Sequence, residues 1–378
     1  MKKICFITTS RADFGMVNEL VKESLRYKRV KTYIVISGNH NEQIYGRSIK
    51  EINLNKKVLT QKIFVKQRNK NNLSVSLSFS KYLKKYSLFL EKLKPDVFVV
   101  FGDRYEMLAA ALSAYILNIP IAHIAGGEKT SGSLDEGYRH SITKLSNLHF
   151  PTSKIYRNRL IQLGENPKTV FNFGSLNRQK ILNTKYLTKK EISKKYKIKF
   201  LKKNLLLTYH PENIGSDMNV KNLSLVLDCL KTLKDTCIII TSPNADAEGV
   251  KMIKFIRSFI TKIKKKNIYF FESLGTQVYL SILKIIDGVL GNSSSGISEA
   301  PIFSINSINL GNRQMGREMP SSVINCKTNR KIILRNLKNL KKKKRKILIN
   351  RDKDVSKKIL KTIISFKKFN LKNFYDIH

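Results

Sequence analysis

The sequence predicts two doubly wound α/β domains that follow one another along the chain. Three observations support this fold class. The 378 residues are enough for about two domains of common size. Short apolar runs typical of buried strands alternate with helical patterns, and this alternation starts again after about Gly174. The runs are continuously apolar rather than alternating, which is typical of parallel sheets covered by helices on both faces.

In the first half, the predicted strands end in polar loops, and helical patterns lie between them. The first helix has Val17, Leu20, Val21 and Leu25 at the spacing of one apolar face. Pro95 ends the second helix, because proline cannot continue a helical hydrogen-bond ladder. The predicted strands are residues 4–8, 31–37, 96–101 and 119–124, and the later helices are residues 73–93 and 106–117.

The second half repeats the pattern, with strands at residues 204–208, 237–241, 268–271 and 288–290 and a helix at 220–233. The lysine-rich stretch 185–203 is predicted to be a connector. A final helix at 355–364 has no strand after it, so we expect it to pack back on an earlier domain. The predicted domains are therefore residues 1–175, with a returning helix at about 350–370, and a nucleotide-binding domain at 176–349.

The chain carries a large positive charge. Lysine and arginine number 72 and aspartate and glutamate 27, which gives a formal net charge of +45. A nucleic-acid footprint is usually a concentrated basic stripe, whereas here the basic pairs are spread out and only residues 341–346 form a dense block. The chain is also rich in Asn and Ile, the joint bias of an AT-rich coding sequence. We therefore interpret the charge as solvated lysine surface and expect no nucleic-acid partner.

Cysteine usage and hydropathy bear on the compartment. Cys5, Cys229, Cys237 and Cys326 are scattered without CxxC spacing, which argues against a zinc ribbon or a disulfide framework. No apolar run approaches the roughly 20 residues that cross a bilayer, and the first residues lack a signal-peptide pattern. The sequence thus predicts a cytoplasmic protein without membrane insertion.

The polar clusters of the sequence follow the predicted strands, where open α/β sheets bind ligands. Asp103, Glu128 and Asp135 form a set of carboxylates on neighbouring loops, with His140 nearby. Carboxylates and a histidine in different protonation states are suited to acid–base chemistry. Further polar residues in these clusters are Ser10, Arg11, Asp13, Arg104, Glu106, Arg139, His210, Asn244, Asp246 and Glu299.

Residues 291–296 (GNSSSG) follow the last predicted strand, and a helix is expected to start near Ser295. Such a helix start is either a phosphate cradle or an ordinary serine-rich N-cap. It is not a Walker A motif, and no G-x-G-x-x-G follows the first strand, so a dinucleotide-dependent dehydrogenase is disfavoured. A metal site built from His123, His140, His149 and Glu128 lacks a recognisable ligand spacing, and we expect neither a metal nor a cofactor.

Eight ordered motifs together resemble one enzyme family, the hydrolysing UDP-N-acetylglucosamine 2-epimerases of bacterial sialic and legionaminic acid biosynthesis. They are residues 10–15 (SRADFG), 102–106 (GDRYE), 126–128 (GGE), 135–144 (DEGYRHSITK), 210–211 (HP), 243–246 (PNAD), 291–297 (GNSSSGI) and 311–317 (GNRQMGR). The opening Ser-Arg-Ala-Asp differs from the Gly-Thr-Arg-Pro-Glu typical of non-hydrolysing 2-epimerases. A further stretch, residues 174–179 (GSLNRQ), departs from the family pattern, because Leu176 and Gln179 stand where a proline and an aspartate are usual.

The resemblance implies a GT-B-like architecture of two Rossmann-like domains with a ligand cleft between them. It also implies a reaction on UDP-N-acetylglucosamine. The C2 proton is removed and UDP leaves, giving a 2-acetamidoglucal. Water then adds at C1 and a proton at C2 from the opposite face, giving free N-acetylmannosamine. Within the family, a UDP-2,4-diacetamido-2,4,6-trideoxy sugar is an alternative substrate, and a GT-B glycosyltransferase is a further alternative function.

The resemblance also implies roles for individual residues. Asp103, Glu128 and Asp135 would be the acid–base carboxylates, and His210 would lie in the catalytic cleft near the diphosphate. Glu299 would bind the ribose hydroxyls of the UDP-sugar. The residues expected to hold the diphosphate are Arg11, Arg104, Ser293, Ser294 and Arg313. A homo-oligomer, either a dimer or a tetramer, would fit the family.

Overall fold

The computed structural model describes residues 1–41, 49, 52–66, 72–130, 134–212, 218–243, 247–340, 354–367 and 372–377. The chain divides into two compact units. Unit 1 consists of Met1–Leu182 and Ile349–His378, and unit 2 consists of Asn183–Leu348. Unit 1 therefore extends beyond the boundary expected at residue 175.

Unit 1 is built on a six-stranded parallel sheet. Its strands are β1 (Lys2–Thr8), β2 (Val30–Ser37), β3 (Leu59–Ile63), β4 (Val97–Phe101), β5 (Ile121–Ile124) and β6 (Leu148–Phe150), in the order β3-β2-β1-β4-β5-β6. Its helices are α1 (Arg11–Ser24), α2 (Asn72–Leu93), α3 (Tyr105–Ile116), α4 (Leu134–Leu145), α5 (Lys154–Gln162) and α6 (Leu176–Asn183). All residues of β4 and β5 are buried, as expected for central strands covered on both faces.

Unit 2 repeats this architecture in a second six-stranded parallel sheet. Its helices are α7 (Lys189–Tyr196), α8 (Met218–Lys231), α9 (Ala247–Ile263), α10 (Gly275–Ile285), α11 (Ser295–Ser298) and α12 (Arg330–Asn339). Its strands are β7 (Lys203–Thr208), β8 (Thr236–Thr241), β9 (Ile268–Phe271), β10 (Gly288–Gly291), β11 (Asn306–Leu310) and β12 (Val323–Cys326). The order β12-β11-β10-β7-β8-β9 is equivalent to that of unit 1, so both sheets are doubly wound.

The last helix, α13 (Val355–Ser365), returns to unit 1. Its buried apolar face, which includes Ile359 and Leu360, belongs to the hydrophobic core of the first sheet. Gln179 of α6 and Ser356 of α13 bind each other twice. The Gln179 Nε2 donates to Ser356 Oγ at 2.7 Å, and the Ser356 N–H donates to Gln179 Oε1 at 2.8 Å. Gln179, one of the two residues that depart from the family pattern, thus fastens α6 to the returning helix.

The two doubly wound α/β domains confirm the predicted fold class, and the eight predicted strands are all present. The stretch 185–203 differs from its prediction as a connector, because it contains α7 inside unit 2. The Thr188 hydroxyl and the Glu191 carboxylate form a reciprocal capping box that starts this helix. The T-x-x-E spacing was a usable signal in the sequence. The lysine block at 341–346 lies outside the described residues.

Candidate active site

In each sheet the strand order reverses at one place, between β1 and β4 in unit 1 and between β7 and β10 in unit 2. Ligands of open α/β sheets bind at this switch point, outside the carboxyl ends of the strands. In unit 1 the switch point carries Arg11, Asp103 and Arg104. In unit 2 it carries His210 and Ser293. The predicted site residues therefore lie at the carboxyl ends of the strands in both sheets, some in unit 1 and some in unit 2.

The loop after β1 is organised by Asp13, a buried carboxylate in the first turn of α1. The hydroxyls and backbone N–H groups of Thr9 and Ser10 donate to it at 2.9–3.3 Å, and the Thr8 hydroxyl donates to it as well. Burial raises the pKa of Asp13, and these hydrogen bonds oppose the rise. Asp13 thus shapes the loop, and Arg11 begins the helix at the ligand edge of the sheet.

His40 supports the same loop from the end of β2. It is fully buried, and its Nε2 lies 2.9 Å from Thr8 Oγ1. Burial lowers the pKa of His40 to about 4, and the positive charges of Arg11 and Arg104 contribute. His40 is consequently a neutral imidazole at neutral pH. Sequence reasoning did not select it, because nothing in its local sequence shows that it contacts the loop after β1.

Asp103 follows β4, and its carboxylate is held by Arg139 of α4. The Arg139 side chain is only 1% exposed. Its guanidinium also donates to the carbonyl of Glu128 at 2.9 Å and to the hydroxyl of Thr130 at 3.2 Å. Because a guanidinium is a planar fork of five donors, it fixes all three acceptors relative to one another. Arg139 therefore brings together the loops after β4 and β5.

The two other predicted carboxylates, Glu128 and Asp135, lie close in the sequence to residues that make these contacts. Glu128 is half-buried, and its backbone carbonyl accepts from Arg139. Asp135 is half-buried in the first turn of α4, the helix that carries Arg139 one turn later. Glu136 accepts the N–H of Thr130 and lies 3.6 Å from His140 Nε2. Glu136 was not among the predicted site residues, although it follows Asp135 directly.

Arg104, predicted to hold a diphosphate, is also paired inside unit 1. Its Nε and one terminal nitrogen donate to the Glu106 carboxylate at 3.1 and 2.9 Å, and Glu106 is completely buried. Burial lowers the pKa of Arg104, but Glu106, with smaller contributions from Asp13 and Tyr105, raises it, and the net effect is a raised pKa. The pair fixes the direction of the guanidinium at the start of α3. Arg104 is thus a permanent, oriented positive charge at this edge.

His123 holds the backbone of the residue just before Asp103. Its Nε2 donates to the carbonyl of Gly102 at 2.9 Å, and its Nδ1 lies 3.2 Å from the Thr143 hydroxyl. Burial lowers the pKa of His123 to about 3, and this effect exceeds the opposing hydrogen bond to Gly102. Its two nitrogens are occupied, so His123 is a structural support. Among the described residues, no cluster of three or more His, Cys, Asp or Glu could hold a metal ion.

In unit 2, Asn292 organises the switch point. It is fully buried, its Oδ1 accepts the N–H of His210 at 2.6 Å, and its Nδ2 donates to the His210 carbonyl at 2.8 Å. Its own carbonyl accepts from Arg313 at 3.1 Å and from Gln314 at 2.8 Å. Asn292 therefore ties the loops after β7, β10 and β11 together. Burial lowers the pKa of His210 to about 3, and Arg313 contributes, so His210 is neutral.

Helix α11 begins at Ser295, as predicted, and is one turn long. The Gly296 and Ile297 N–H groups bind the carbonyls of Ser293 and Ser294, so these two amides are used inside the turn. The Ser295 hydroxyl donates to Glu299 Oε2 at 2.6 Å and receives a hydrogen bond from Tyr279. The turn thus orients Glu299 and places Ser293 and Ser294 beside the end of β10. Asn244 and Asp246 lie outside the described residues.

The sequence matches the family described as UDP-N-acetylglucosamine 2-epimerase over residues 22–364. The chain belongs to this family. It is 39% identical over 328 residues to a GDP/UDP-N,N'-diacetylbacillosamine 2-epimerase (hydrolyzing) of Campylobacter jejuni, which covers 87% of this chain and 85% of the relative. It is 31% identical over 387 residues to the polysialic acid biosynthesis protein P7 of Escherichia coli, covering 100% of this chain and 98% of the relative.

Solved structures agree with the family assignment at the level of the fold. The UDP-GlcNAc 2-epimerase of Neisseria meningitidis, determined with UDP-GlcNAc bound, superposes with a TM-score of 0.79 at 17% sequence identity. The match covers 96% of this chain and 100% of that epimerase chain. It confirms the GT-B-like class predicted from the sequence motifs. Among the described residues of this epimerase family member, no helix has the length and apolar character needed to span a membrane.

Proposed function

We propose that this protein is a hydrolysing 2-epimerase that converts UDP-2,4-diacetamido-2,4,6-trideoxy-glucose into UDP and the free 2-epimeric sugar. The observation that carries the reaction type is the Asp103 carboxylate held by Arg139, which also binds the loop of Glu128. A carboxylate oriented in this way can move a proton at a defined ring carbon. The substrate assignment is supported by the 39% identity to a diacetylbacillosamine 2-epimerase.

The proposed reaction has two balanced steps. A carboxylate among Asp103, Glu128 and Asp135 takes the C2 proton, the electron pair forms a C1–C2 double bond, and the C1–O bond breaks with its electrons leaving on UDP. Water then adds to C1 of the resulting glycal while C2 receives a proton on the opposite face. The net change is one water consumed, one UDP released and an inverted C2. Two proton-transfer groups on opposite faces of the ring are needed.

The departing diphosphate carries the charge that develops in the first step. Arg11, Arg104 and Arg313 are proposed to stabilise it, with the hydroxyls of Ser293 and Ser294 as neutral donors. The pairing of Arg104 with Glu106 supports this role, because the guanidinium is already oriented before a ligand binds. Because its pKa is lowered to about 3, His210 would contribute a hydrogen bond near the diphosphate rather than a charge. Glu299 is proposed to accept the ribose hydroxyls.

A second candidate substrate is UDP-N-acetylglucosamine, which would give N-acetylmannosamine through the same two steps. The relative that favours it is the polysialic acid biosynthesis protein, which matches the whole length of this chain at 31% identity. The two substrates differ at C4 and C6 of the sugar and share the reacting carbons. The residues proposed for the chemistry are therefore the same for both.

A side-by-side assay in deuterated water tests the proposal. The purified protein is incubated with each nucleotide sugar, UDP release is measured, and the sugar product is followed by proton NMR. We expect faster UDP release from the diacetamido-trideoxy sugar and deuterium at C2 of a free product. Faster turnover of UDP-N-acetylglucosamine would favour the second candidate. No UDP release, or an epimer still attached to UDP, would exclude a hydrolysing 2-epimerase, and UDP release only with an added acceptor would indicate a glycosyltransferase.

A further inference from the structure

The C-terminal segment, residues 372–377, is hydrogen-bonded to α4, the helix that carries Arg139. The Lys372 ammonium donates to the carbonyls of Thr143 and Lys144 at 3.0 and 2.9 Å, in the last turn of α4. The last carbonyls of a helix have no partner within the helix, and a cation there also interacts favourably with the helix dipole. Lys372 is therefore a C-terminal cap of α4, supplied by a distant part of the chain.

A buried acidic group holds Lys372 in this place. Glu165 Oε2 lies 2.6 Å from Lys372 Nζ and 2.8 Å from His149 Nε2, and Glu165 Oε1 lies 2.9 Å from Lys144 Nζ. Burial lowers the pKa of Lys372 to about 8, and Glu165 opposes this effect. The ammonium is therefore still charged at neutral pH and can donate to both carbonyls.

The rest of the segment packs around Gly164. The Tyr375 N–H donates to the Gly164 carbonyl at 3.0 Å. The Phe374 ring occupies the space in which a Gly164 side chain would lie, and the Lys144 ammonium is 4.8 Å from its centroid. Backbone pairing, ring packing and the Lys372 ion pair thus all hold the segment on unit 1 at Gly164 and Glu165.

Two paths lead from α4 to the candidate catalytic carboxylate. Thr143, whose carbonyl Lys372 binds, lies with its hydroxyl 3.2 Å from His123, and His123 binds the carbonyl of Gly102, the residue before Asp103. One turn earlier on the same helix, Arg139 binds Asp103 directly. The backbone and the side chain of Asp103 therefore both depend on where α4 lies.

We propose that Lys372 is a positioning residue for the 2-epimerase reaction. By capping α4, Lys372 fixes where this helix lies. Asp103 is then oriented from α4 in two ways, through Thr143 and His123 and through Arg139. The inference rests on the proposed function in that Asp103 acts on the sugar. Lys372 itself contacts no reacting atom. Its loss therefore affects the orientation of a proton-transfer group, and a displacement of about 1 Å at such a group costs up to roughly 100-fold in rate.

The test compares Lys372→Met with Lys367→Met, an exposed lysine just after α13 that serves as the matched control. We expect Lys372→Met to lower kcat about 10-fold with KM within about twofold, because the proposed diphosphate ligands are untouched. The control should keep the wild-type values. Phe374→Ala, which loosens the segment but keeps the ammonium, should give a smaller loss of kcat. Unchanged kcat in Lys372→Met, or equal losses in both lysine variants, would overturn the inference.

A double-mutant cycle and hydrogen exchange separate positioning from general destabilisation. Thr143→Val removes the hydroxyl next to His123 and leaves the carbonyl that Lys372 binds. Because Thr143→Val already breaks the path through His123 and leaves only the path through Arg139, Lys372→Met should cost clearly less than 10-fold in the Thr143→Val background. Exchange of the amides at 102–104 and 142–145 should accelerate in Lys372→Met and not in Lys367→Met. Unaltered exchange at 102–104 would contradict the inference. This readout does not need activity, so it stays informative even if the wild type turns over neither sugar, a result that would contradict the proposed function instead.

Discussion

Asp103 is the residue on which the proposed chemistry depends most directly. In Asp103→Asn the side-chain oxygen still accepts from Arg139, so the loops after β4 and β5 should keep their structure, but the amide cannot take up a proton at neutral pH. We expect UDP release to fall at least about 100-fold, the usual contribution of a general acid or base. Circular dichroism should stay at the wild-type value, whereas the thermal midpoint should fall, because the buried Arg139 loses its charged partner.

Asp228→Asn is the control for this substitution. Asp228 is a half-buried carboxylate on α8 that pairs with the exposed Lys231, three residues later in the same helix, and a solvent-accessible pair of this kind contributes little to stability. The control should release UDP at the wild-type rate. Wild-type activity in Asp103→Asn would remove Asp103 from the catalytic set and shift the role to Glu128 or Asp135.

His123 makes stability depend on pH in a predictable direction. Its pKa is about 3 in the folded protein and 6.5 in its ordinary state, so between these values the unfolded chain binds a proton that the folded chain does not. The stabilising contribution is therefore complete above about pH 6.5 and is lost as the pH falls. At pH 5 the loss from this residue is about 2 kcal/mol.

His123→Gln tests this prediction, because the Gln amide can still donate to the Gly102 carbonyl but does not titrate. Urea unfolding at pH 7 and pH 5 should show a smaller drop in the free energy of unfolding for the variant than for the wild type. His40, His149 and His210, whose pKa values burial also lowers, act in the same direction in both proteins and cancel in the comparison. An equal drop in both proteins would show that His123 is protonated in the folded state.

The residue types of the site were predictable, but their pairing was not. Strand ends followed by Asp103-Arg104 or Gly127-Glu128 indicate a ligand edge because parallel strands all end on one side of a sheet. The sequence does not show that Arg139 reaches across two loops to Asp103, since that contact depends on how α4 packs. The assignment of catalytic and UDP-binding roles stays a prediction.

At the scale of elements, Gly291 at the end of β10 is required by its surroundings. Its φ is +132°, and a Cβ there would lie 2.0 Å from the backbone oxygen of Thr208 on the neighbouring strand. Gly291→Ala must therefore both strain the backbone and separate β10 from β7, which we expect to cost at least about 2 kcal/mol. The switch point of unit 2 would be disturbed in the same step.

Gly137 provides the opposite case within α4. A Cβ there meets nothing within 4 Å, and alanine is a better helix former than glycine. Gly137→Ala should raise the free energy of unfolding by about 0.5–1 kcal/mol. Urea midpoints of the two variants should thus move in opposite directions. A stable Gly291→Ala protein would mean that the loop after β10 has a different backbone from the one described.

Four of the described strands, β3, β6, β11 and β12, escaped prediction, and each is exposed, polar or short. The edge strand β12 (VINC), for example, is buried only at Cys326. The edge strand β3 (LTQKI) is exposed in all residues but Ile63, so it has no apolar run to recognise. β11 is buried throughout but includes Asn306, Ser307 and Asn309, whose polarity masks a central strand. β6 has only three residues. Sequence patterns detect a strand by its run of apolar residues. A strand without such a run is recognised only from its pairing with neighbouring strands in the sheet.

At the scale of the whole molecule, the +45 charge has little to do with the proposed site. The site is proposed to use three arginines, and the buried Arg139 and the half-buried Lys372 are each held by a carboxylate. Nonspecific attraction to polyanions through the remaining lysines would weaken steeply with salt. The expectation of no specific nucleic-acid partner, and of a homo-oligomer, stays a prediction that titration with RNA and sedimentation would each test.

The two sheets have separate hydrophobic cores, and this makes a prediction about how the chain unfolds. Leu360 of α13 belongs to the core of unit 1 and Leu337 of α12 to that of unit 2, and both are completely buried. Truncation of a buried leucine costs about 2–5 kcal/mol. Because α13 comes last in the chain yet packs in unit 1, Leu360→Ala should loosen β1–β6 and leave β7–β12 unchanged.

Hydrogen exchange of the strand amides checks this, with Leu337→Ala as the matched variant that should loosen β7–β12 alone. The expected result is faster exchange confined to one sheet in each variant, because a local core loses contacts only with the strands that it covers. Activity should fall in both variants at elevated temperature, since the proposed acid–base residues are in unit 1 and most proposed UDP ligands are in unit 2. Accelerated exchange in both sheets of either variant would show instead that the two cores unfold as one cooperative body.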